Sequence, residues 1–568
     1  MPSASVPPPT ADALPRQFVR DPDFWLNFVA AAVIAFSAVQ ILLFSFGRDQ
    51  GIYALIGEGI LGGKMPYRDL WDFKPPGIHL AYALSQAIFG RTMTAPRLLE
   101  VGGLLITVWG FLRLSETFFG IARVGLIGAA LAALIHAELE FWHTGQPEAF
   151  GGFLTVGALV LTVSEPKRRF RWVTWAGVGF LFGCAFLFKP PLGGGALVCV
   201  AYLIRREQTA DRGKLAAAWP ALVAGIGSAV PIAACALWFR LGGAWDELSW
   251  TMFEFTPGYT TLSWEDRSAP EMFYVALEEA FFRFSALAAA GVIAAIVIPP
   301  LHRREREGLF LVLGIMSVHV AGIAMQGKFF AYHYSATLPL IAFIAGLGLY
   351  KLWRRCLMGG AGGVLAFASF LVVATAMRTA VQDLPGSFWW RSQMRLEYLL
   401  GTAGFRSREV LDRELYYVSD YSLDADRRLA GELRRRTEPG EPVYIWGFEP
   451  IVYWLAERPP ASRFIYDVPQ RAAWERTLAR RSLLQDLKDK PPRFIAVQRR
   501  DVFPSVTGSR SDSRQALESF DELRELMDRS YQFVVSVEDF DLYQRGSGPK
   551  IPANLATTLE KRNDDDGQ

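Results

Sequence analysis

The stretch GRDQGIYALIGEGILGGKMPYRDLWDFKPPG, residues 47–77, decides the fold. The apolar run before it, residues 24–46, contains no charged side chain and is long enough to cross a bilayer. Eight charged residues then follow within 27 positions. They are Arg48, Asp49, Glu58, Lys64, Arg68, Asp69, Asp72 and Lys74. So many acids and bases at a membrane surface indicate a functional loop, and Asp49 is its first candidate catalytic carboxylate.

Apolar residues are concentrated before about residue 377 and charged residues after it. The 568 residues are 51% hydrophobic with a net charge of +3. This distribution predicts a membrane domain of about 350 residues and a soluble domain of about 190. A net charge this close to zero gives no reason to propose nucleic-acid binding. The four cysteines lie in apolar runs without CxxC spacing, which suggests neither a metal site nor a disulfide framework.

We predict a mostly α-helical polytopic membrane protein with a C-terminal soluble α/β domain. The predicted segments are a disordered cytoplasmic tail at 1–23, a transmembrane domain at 24–377 with a first periplasmic loop at 47–94, a periplasmic α/β domain at 378–546 and a disordered tail at 547–568. A cleaved signal peptide is the alternative for the N-terminus. The run at 24–46 is longer than the roughly 7–15 apolar residues of a signal peptide, which favours a retained helix.

Eleven apolar runs predict membrane spans. They lie at 24–46, 95–114, 120–140, 148–164, 172–188, 191–204, 215–239, 280–298, 308–326, 335–350 and 356–377. The run at 77–90 is short and contains polar residues, which favours a helix in the membrane interface. With the N-terminus inside, the basic loops at 167–171, 205–214, 302–307 and 351–355 face the cytoplasm. Asp49, Glu148, Lys189 and Lys328 then face outward, and the C-terminus is outside. The short run at 191–204 leaves the number of spans there open.

The soluble part alternates between two patterns. Strand-like runs lie at 443–447, 493–497, 531–537 and 541–545. Helix-like segments lie at 423–436, 449–457, 468–489 and 513–529. This alternation predicts a small layered α/β domain.

Several cations face outward in the predicted topology, against the usual excess of cations on the cytoplasmic side. Lys74 and Lys189 each precede two prolines, and Lys328 lies five residues before His333. A lysine ammonium suits a phosphate group, so these residues are candidate ligands of an anionic lipid, with Arg68 as a further candidate. The alternative is that the lysines reach toward ordinary lipid headgroups. Glu148, at the start of a span, is the second candidate carboxylate, and an interfacial position in water is its alternative role.

An aromatic-rich outer loop at 241–279 is a candidate acceptor site. Its aromatic side chains include Trp245, Trp250, Phe255, Tyr259 and Trp264. Such rings stack on sugars, but a membrane-interface aromatic belt has the same composition, and both interpretations stay open. No Walker loop, HExxH, GxSxG or metal-ligand spacing occurs in the sequence.

Residues 47–77, Glu148 ahead of a later span, and KFFAYHY at 328–334 together resemble the ArnT/protein-mannosyltransferase-like glycosyltransferases of the GT-C superfold. The resemblance implies transfer of a sugar from a polyprenyl-phosphate carrier to a glycan, lipid or protein acceptor on the outer face of the membrane. It maps the first-loop carboxylate onto Asp49, the second acidic position onto Glu148 and the Lys-Pro-Pro lysine onto Lys74. It implies the bacterial cytoplasmic membrane as the location and requires no metal or other cofactor.

An inverting transfer needs a base for the acceptor hydroxyl and cations for the phosphate leaving group. Asp49 is the predicted base, and the outward lysines are the predicted cations. A transporter or flippase of a lipid-linked sugar would use the same cations without chemistry. Transporters commonly show internal repeats and charged residues near the middle of the membrane, and neither pattern is evident in the sequence. A non-catalytic envelope scaffold is a third class, but it gives no reason for the charge density of the first loop.

Overall fold

The computed structural model describes residues 22–164, 168–209, 214–264, 266–283, 286–299, 302–376, 384–402 and 407–546. The regular secondary structure of the apolar part of the chain is helical within these residues. Its helices are α1 (Pro22–Leu43), α2 (Arg48–Leu61), α3 (Pro76–Phe89), α4 (Thr94–Phe119), α5 (Ala122–Glu138), α6 (Glu140–His143), α7 (Pro147–Val163), α8 (Arg171–Phe188), α9 (Gly195–Thr209), α10 (Lys214–Leu241), α11 (Trp245–Trp250), α12 (Thr256–Thr261), α13 (Ala269–Arg283), α14 (Ala286–Val297), α15 (Arg303–Gln326), α16 (Leu338–Leu357) and α17 (Gly360–Ala376).

Each of the eleven predicted spans coincides with a helix, except that the run at 280–298 falls on the end of α13 and on α14. Five helices are long and apolar enough to cross a membrane by length and composition. These five are Asp23–Leu43, Thr94–Phe119, Arg171–Phe188, Ala218–Leu241 and Arg303–Gln326. The chain therefore has the character of a membrane protein, while the count of eleven spans stays a prediction. The predicted terminal tails lie outside the described residues, apart from positions 22 and 23, which begin α1.

Small residues let the long helices approach closely. A Cβ atom on Gly346 of α16 would lie 2.7 Å from the backbone nitrogen of Gly128 on α5. A Cβ on Gly179 of α8 would lie 1.9 Å from the Ala224 carbonyl oxygen on α10. Helices packed in lipid depend on such contacts, because lipid tails compete equally well for apolar side chains. Larger residues at these positions would force the helix pairs apart.

The first loop is a folded unit rather than an extended connection. Its first half forms α2, which begins directly at the charged pair Arg48 and Asp49. Its last part forms α3, where Pro76 at the first helical position removes an N–H that would otherwise lack a partner. The helix predicted at 77–90 is therefore present. The exposed face of α3 is apolar and includes the side chains of Leu84 and Ile88.

The C-terminal region, residues 407–546, contains a four-stranded mixed sheet flanked by helices. It also contains a short antiparallel pair of strands, β1 (Tyr417–Val418) and β2 (Tyr421–Ser422). The strands of the main sheet are β3 (Val443–Trp446), β4 (Phe494–Gln498), β5 (Tyr531–Val537) and β6 (Phe540–Arg545), in the order β3-β4-β6-β5. The first pair is parallel and the other two pairs are antiparallel. The fully buried strands β3 and β4 form the centre of its core.

The remaining helices lie around this sheet or before it. They are α18 (Phe388–Leu400), α19 (Arg408–Leu415), α20 (Leu423–Arg436), α21 (Ile451–Ala456), α22 (Val468–Arg471), α23 (Arg476–Asp489), α24 (Pro504–Thr507), α25 (Ser513–Glu518) and α26 (Asp521–Ser530). Two long helices predicted from the sequence are each interrupted. The interruption between α22 and α23 lets the Trp474 indole donate a hydrogen bond to the Phe255 carbonyl in the aromatic loop, and the one between α25 and α26 buries Phe520.

A topology test follows from the exposed loops. In a variant whose four native cysteines are replaced, we expect a single cysteine at Thr92 to react with an impermeant maleimide in intact cells. A cysteine at Arg354 should react only after permeabilisation, because the basic loop there is predicted to be cytoplasmic. Both positions are exposed, whereas Gly145 in the neighbouring outer loop has a Cβ position 2.8 Å from the Tyr82 hydroxyl. The opposite labelling pattern would overturn the predicted orientation.

Candidate active site

A cavity of about 440 Å³ gathers most of the predicted site residues from distant parts of the sequence. Its polar lining includes Lys74, Lys189, Lys328 and His333. The rest of the lining is mainly apolar and comes from α8, α10 and the aromatic loop. A mainly apolar cavity with a few cations in its wall has the polarity of a lipid chain joined to an anionic headgroup.

Lys74 is held at this cavity by aromatic side chains. Its ammonium lies 3.4 Å from the Tyr332 hydroxyl and 5.2 Å from the ring centres of both Phe73 and Tyr332. Burial lowers the pKa of this ammonium, but the carboxylates of Asp49 and Glu148 more than offset the effect and leave the pKa above its ordinary value. Lys74 is therefore a buried side chain that keeps its charge.

The second predicted carboxylate is paired with the second predicted lysine. The Lys189 ammonium lies 2.8 Å from Glu148 Oε1, and Glu148 is almost fully buried. His333 Nε2 lies 3.8 Å from the same oxygen, while His333 Nδ1 donates a hydrogen bond of 2.5 Å to the Lys328 carbonyl. Burial holds the pKa of His333 well below its usual range, so this ring is neutral. Glu148 thus acts electrostatically on the cations of the cavity.

Lys328 joins the cavity to the C-terminal region. Its ammonium donates a 2.6 Å hydrogen bond to the Ser505 carbonyl and lies 4.3 Å from the centre of the Tyr259 ring. Burial lowers the pKa of this ammonium to about 8. Lys328 is therefore the cation of the cavity whose charge is most easily changed within the working pH range.

Asp49 lies at the first turn of α2, beside the cavity rather than on its wall. Its Oδ2 atom accepts a 3.1 Å hydrogen bond from the Gln146 amide, which in turn accepts a hydrogen bond from the Tyr53 hydroxyl. The side chain is half-buried. Within the part of the chain that the structure describes, no lysine or arginine forms an ion pair with it.

Three predicted residues have other surroundings. Arg68 does not line the cavity, because its guanidinium pairs with Asp69 at 2.7 Å and donates to the Gly242 carbonyl. Trp250 packs beside Trp71 and Phe255, and the Trp264 indole donates to the Met325 carbonyl. Trp245 and Tyr259 do line the cavity. The structure thus brings together only part of the predicted aromatic set, and it places Arg68 apart from the lysines.

A buried polar cluster beside Lys74 was not predicted. Asp72 Oδ2 lies 3.0 Å from His79 Nε2, and Asp72 Oδ1 accepts a 2.7 Å hydrogen bond from the Tyr466 hydroxyl. The Tyr67 hydroxyl donates to the Lys74 carbonyl at 2.8 Å. The polar residues Asp72 and His79 were visible in the sequence, but their partner Tyr466 lies 394 positions away.

Among the described residues, no group of three or more histidine, cysteine, aspartate or glutamate side chains is arranged to hold a metal ion.

Comparison with known proteins relates the fold of this chain to one class. Residues 73–238 match the family model described as dolichyl-phosphate-mannose-protein mannosyltransferase. Comparison with curated protein sequences finds no match. The chain resembles ArnT from Cupriavidus metallidurans bound to undecaprenyl phosphate (TM-score 0.54, 15% identity) and in the apo state (0.56, 16%). Each alignment covers 95% of this chain and 100% of the ArnT chain. The predicted resemblance is confirmed, and the chain has the fold of the GT-C glycosyltransferases.

A more distant likeness is to the oligosaccharyltransferase AglB from Archaeoglobus fulgidus, in complex with an inhibitory peptide and a dolichol-phosphate. It has a TM-score of 0.43 and 12% identity, covering 93% of this chain and 75% of AglB.

Proposed function

We propose that this protein is an inverting glycosyltransferase of the bacterial cytoplasmic membrane. It transfers a sugar from a polyprenyl-phosphate donor to a glycan, lipid or protein acceptor on the periplasmic face, where its C-terminal region lies. The observation that carries the proposal is the convergence of Lys74, Lys189 and Lys328 on one apolar cavity beside the half-buried carboxylate of Asp49. The ArnT-like fold and the family match support the same class.

In this proposal the cavity binds both parts of the donor, the prenyl chain and the phosphate. The prenyl chain lies against the apolar side chains of α8 and α10, and the phosphate lies between the lysines. Lys74 is the principal phosphate ligand, because it is fully buried and charged and has no carboxylate in direct contact among the described residues. Its positive charge stabilises the phosphate that departs when the bond between phosphate oxygen and anomeric carbon breaks.

Asp49 is the proposed general base. It removes the proton from the acceptor hydroxyl as that oxygen attacks the anomeric carbon from the face opposite the phosphate, which inverts the configuration. Glu148 is less suited to this role, since its carboxylate is ion-paired with Lys189. Trp245 and Tyr259 on the cavity wall are the proposed sugar-stacking groups.

The co-purifying lipid tests the proposal most directly. We expect mass spectrometry of lipid extracted from the purified protein to find a polyprenyl phosphate or its glycosylated form. We also expect the protein to convert a glycosylated polyprenyl phosphate into polyprenyl phosphate when a cell-envelope extract supplies the acceptor. Binding of the donor with no turnover under these conditions would favour the flippase alternative.

The acidity of Lys328 predicts a pH dependence. A lysine is charged below its pKa, and the Lys328 ammonium has a pKa of about 8. We therefore expect affinity for undecaprenyl phosphate to fall as the pH rises from about 7 to about 9, while the ordinary lysine pKa would place the decline near 10.4. A Lys328→Arg variant keeps its charge throughout this range and should lose this decline. The measurement is binding titration at several pH values, and an identical profile for both proteins would contradict the assignment.

A further inference from the structure

Two residues that flank the proposed catalytic groups are held by the C-terminal region. Arg48 immediately precedes Asp49, and its guanidinium donates to Glu449 Oε1 at 2.6 Å and to the Asp420 carbonyl at 2.9 Å. Arg48 is also surrounded by aromatic rings, with the Phe503 ring centre at 4.5 Å. The start of α2, and with it the Asp49 backbone, is thus fixed from outside the membrane domain.

The other end of the loop is held in the same way. Asp72 lies two residues before Lys74 and is fully buried, and its carboxylate accepts a hydrogen bond from the Tyr466 hydroxyl. The adjacent Trp71 backbone N–H donates to the Arg463 carbonyl at 2.8 Å, and the Trp71 ring packs against Tyr466. These contacts fix the path of the chain just before the lysine.

Between the two contacts, α2 packs closely against the C-terminal region at Gly51. A Cβ atom on Gly51, one turn or less from Asp49, would lie 2.5 Å from Ile451 Cβ in the C-terminal region. Gly51 is itself buried. Close packing of this kind transmits a displacement rather than absorbing it. A shift of the C-terminal region would therefore move both ends of the first loop.

We infer that the C-terminal region is a positioning element of the active site, in which Glu449 acts through Arg48 on the base and Tyr466 acts through Asp72 on the phosphate-binding lysine. This inference rests on the proposed function, because it takes Asp49 and Lys74 as the catalytic base and donor ligand. It gives each of the two contacts a different kinetic consequence. Loss of the first should impair the chemical step, and loss of the second should impair donor binding.

Two single substitutions in the full-length protein distinguish the effects of the two contacts. Tyr466→Phe removes one hydroxyl from Asp72, and we expect the donor KM to rise about tenfold with kcat changed less than about threefold. Glu449→Gln weakens the charge-assisted bond to Arg48, and we expect kcat to fall at least about tenfold with the donor KM nearly unchanged. A uniform loss of structure would instead lower the amount of active protein, which titration with undecaprenyl phosphate measures as the number of binding sites.

Matched controls lie in the same region but away from the first loop. Tyr531→Phe removes a buried hydroxyl that donates to the Pro492 carbonyl, and Asp541→Asn removes a carboxylate paired with Arg514 at 3.2 Å. Both controls should keep the wild-type kcat and KM. Wild-type kinetics in Tyr466→Phe and Glu449→Gln, with inactivity in Asp49→Asn, would overturn this inference alone. Full activity in Asp49→Asn would overturn the proposed base itself.

Discussion

Asp49→Asn should lower kcat by about a thousandfold while leaving the affinity for undecaprenyl phosphate within about twofold of wild type, because a general base acts on the acceptor and not on the carrier. The substitution keeps the size of the side chain and a hydrogen-bond acceptor for Gln146, which donates to Asp49 at 3.1 Å. The measurement is conversion of a glycosylated polyprenyl phosphate, paired with a binding titration of the free carrier.

The control for this prediction is on the same helix. Glu58→Gln removes a carboxylate in the last turn of α2 that pairs with Arg91 at 2.9 Å, where both side chains are partly exposed. Exposed ion pairs contribute roughly 0–1 kcal/mol to stability, so this variant should remain folded and active. Turnover close to wild type in Asp49→Asn would remove Asp49 as the base and direct attention to Glu148.

Lys74→Met should lower kcat/KM for the donor by about a thousandfold, since it removes the buried positive charge proposed to bind the phosphate in the ground state and in the transition state. The methionine side chain approximates the length of the lysine stem and lacks only the ammonium group with its contacts to Phe73 and Tyr332. Lys74→Arg should recover only part of the loss, because a planar guanidinium does not fit a pocket shaped around a compact ammonium.

The matched substitution is Lys64→Met in the same loop. Lys64 is exposed, and this variant should behave as wild type in both binding and turnover. Steady-state kinetics over a range of donor concentrations separate the two proteins. An unchanged donor KM and kcat in Lys74→Met would show that the phosphate lies elsewhere.

The sequence was sufficient to predict the positions of the apolar helices and the lysine cluster. Long apolar runs report helix positions directly, because the bilayer sets a minimum length. The repeated Lys-Pro-Pro at Lys74 and Lys189 and the histidine near Lys328 were local signals, and the cavity contains all four side chains. These features depend on residues that are close in sequence.

The interface of the first loop with the C-terminal region could not be predicted, because it joins residues that are far apart in the sequence. Arg48 and Glu449 are 401 positions apart, and neither has a periodic pattern that indicates its partner. The partners of Arg97 and Glu100 were equally unpredictable. These two residues form a buried ion pair in a predicted span, and Glu100 also lies 2.8 Å from His136. Such charges are identifiable as unusual from the sequence, but their partners appear only when the helices pack.

Aromatic residues were the least informative signal. A segment rich in tryptophan and tyrosine has the same composition whether these side chains stack on a sugar, line a membrane interface or fill a core. Trp245 lines the cavity, whereas Trp250 packs on Trp71 and Phe255 in the interior. The direction of each side chain decides its role, and the composition of the loop does not report that direction.

The contact of Gly51 with Ile451 also determines which segments of this protein can be exchanged for those of a relative. Because a Cβ on Gly51 would lie 2.5 Å from Ile451 Cβ, the two surfaces must change together. A chimera that receives only the C-terminal region of a related protein should be inactive. A chimera that receives both that region and the segment equivalent to residues 47–77 from the same relative should recover turnover. For protein engineering, the first loop and the C-terminal region then form one exchangeable unit, although more than 300 residues separate them in the sequence.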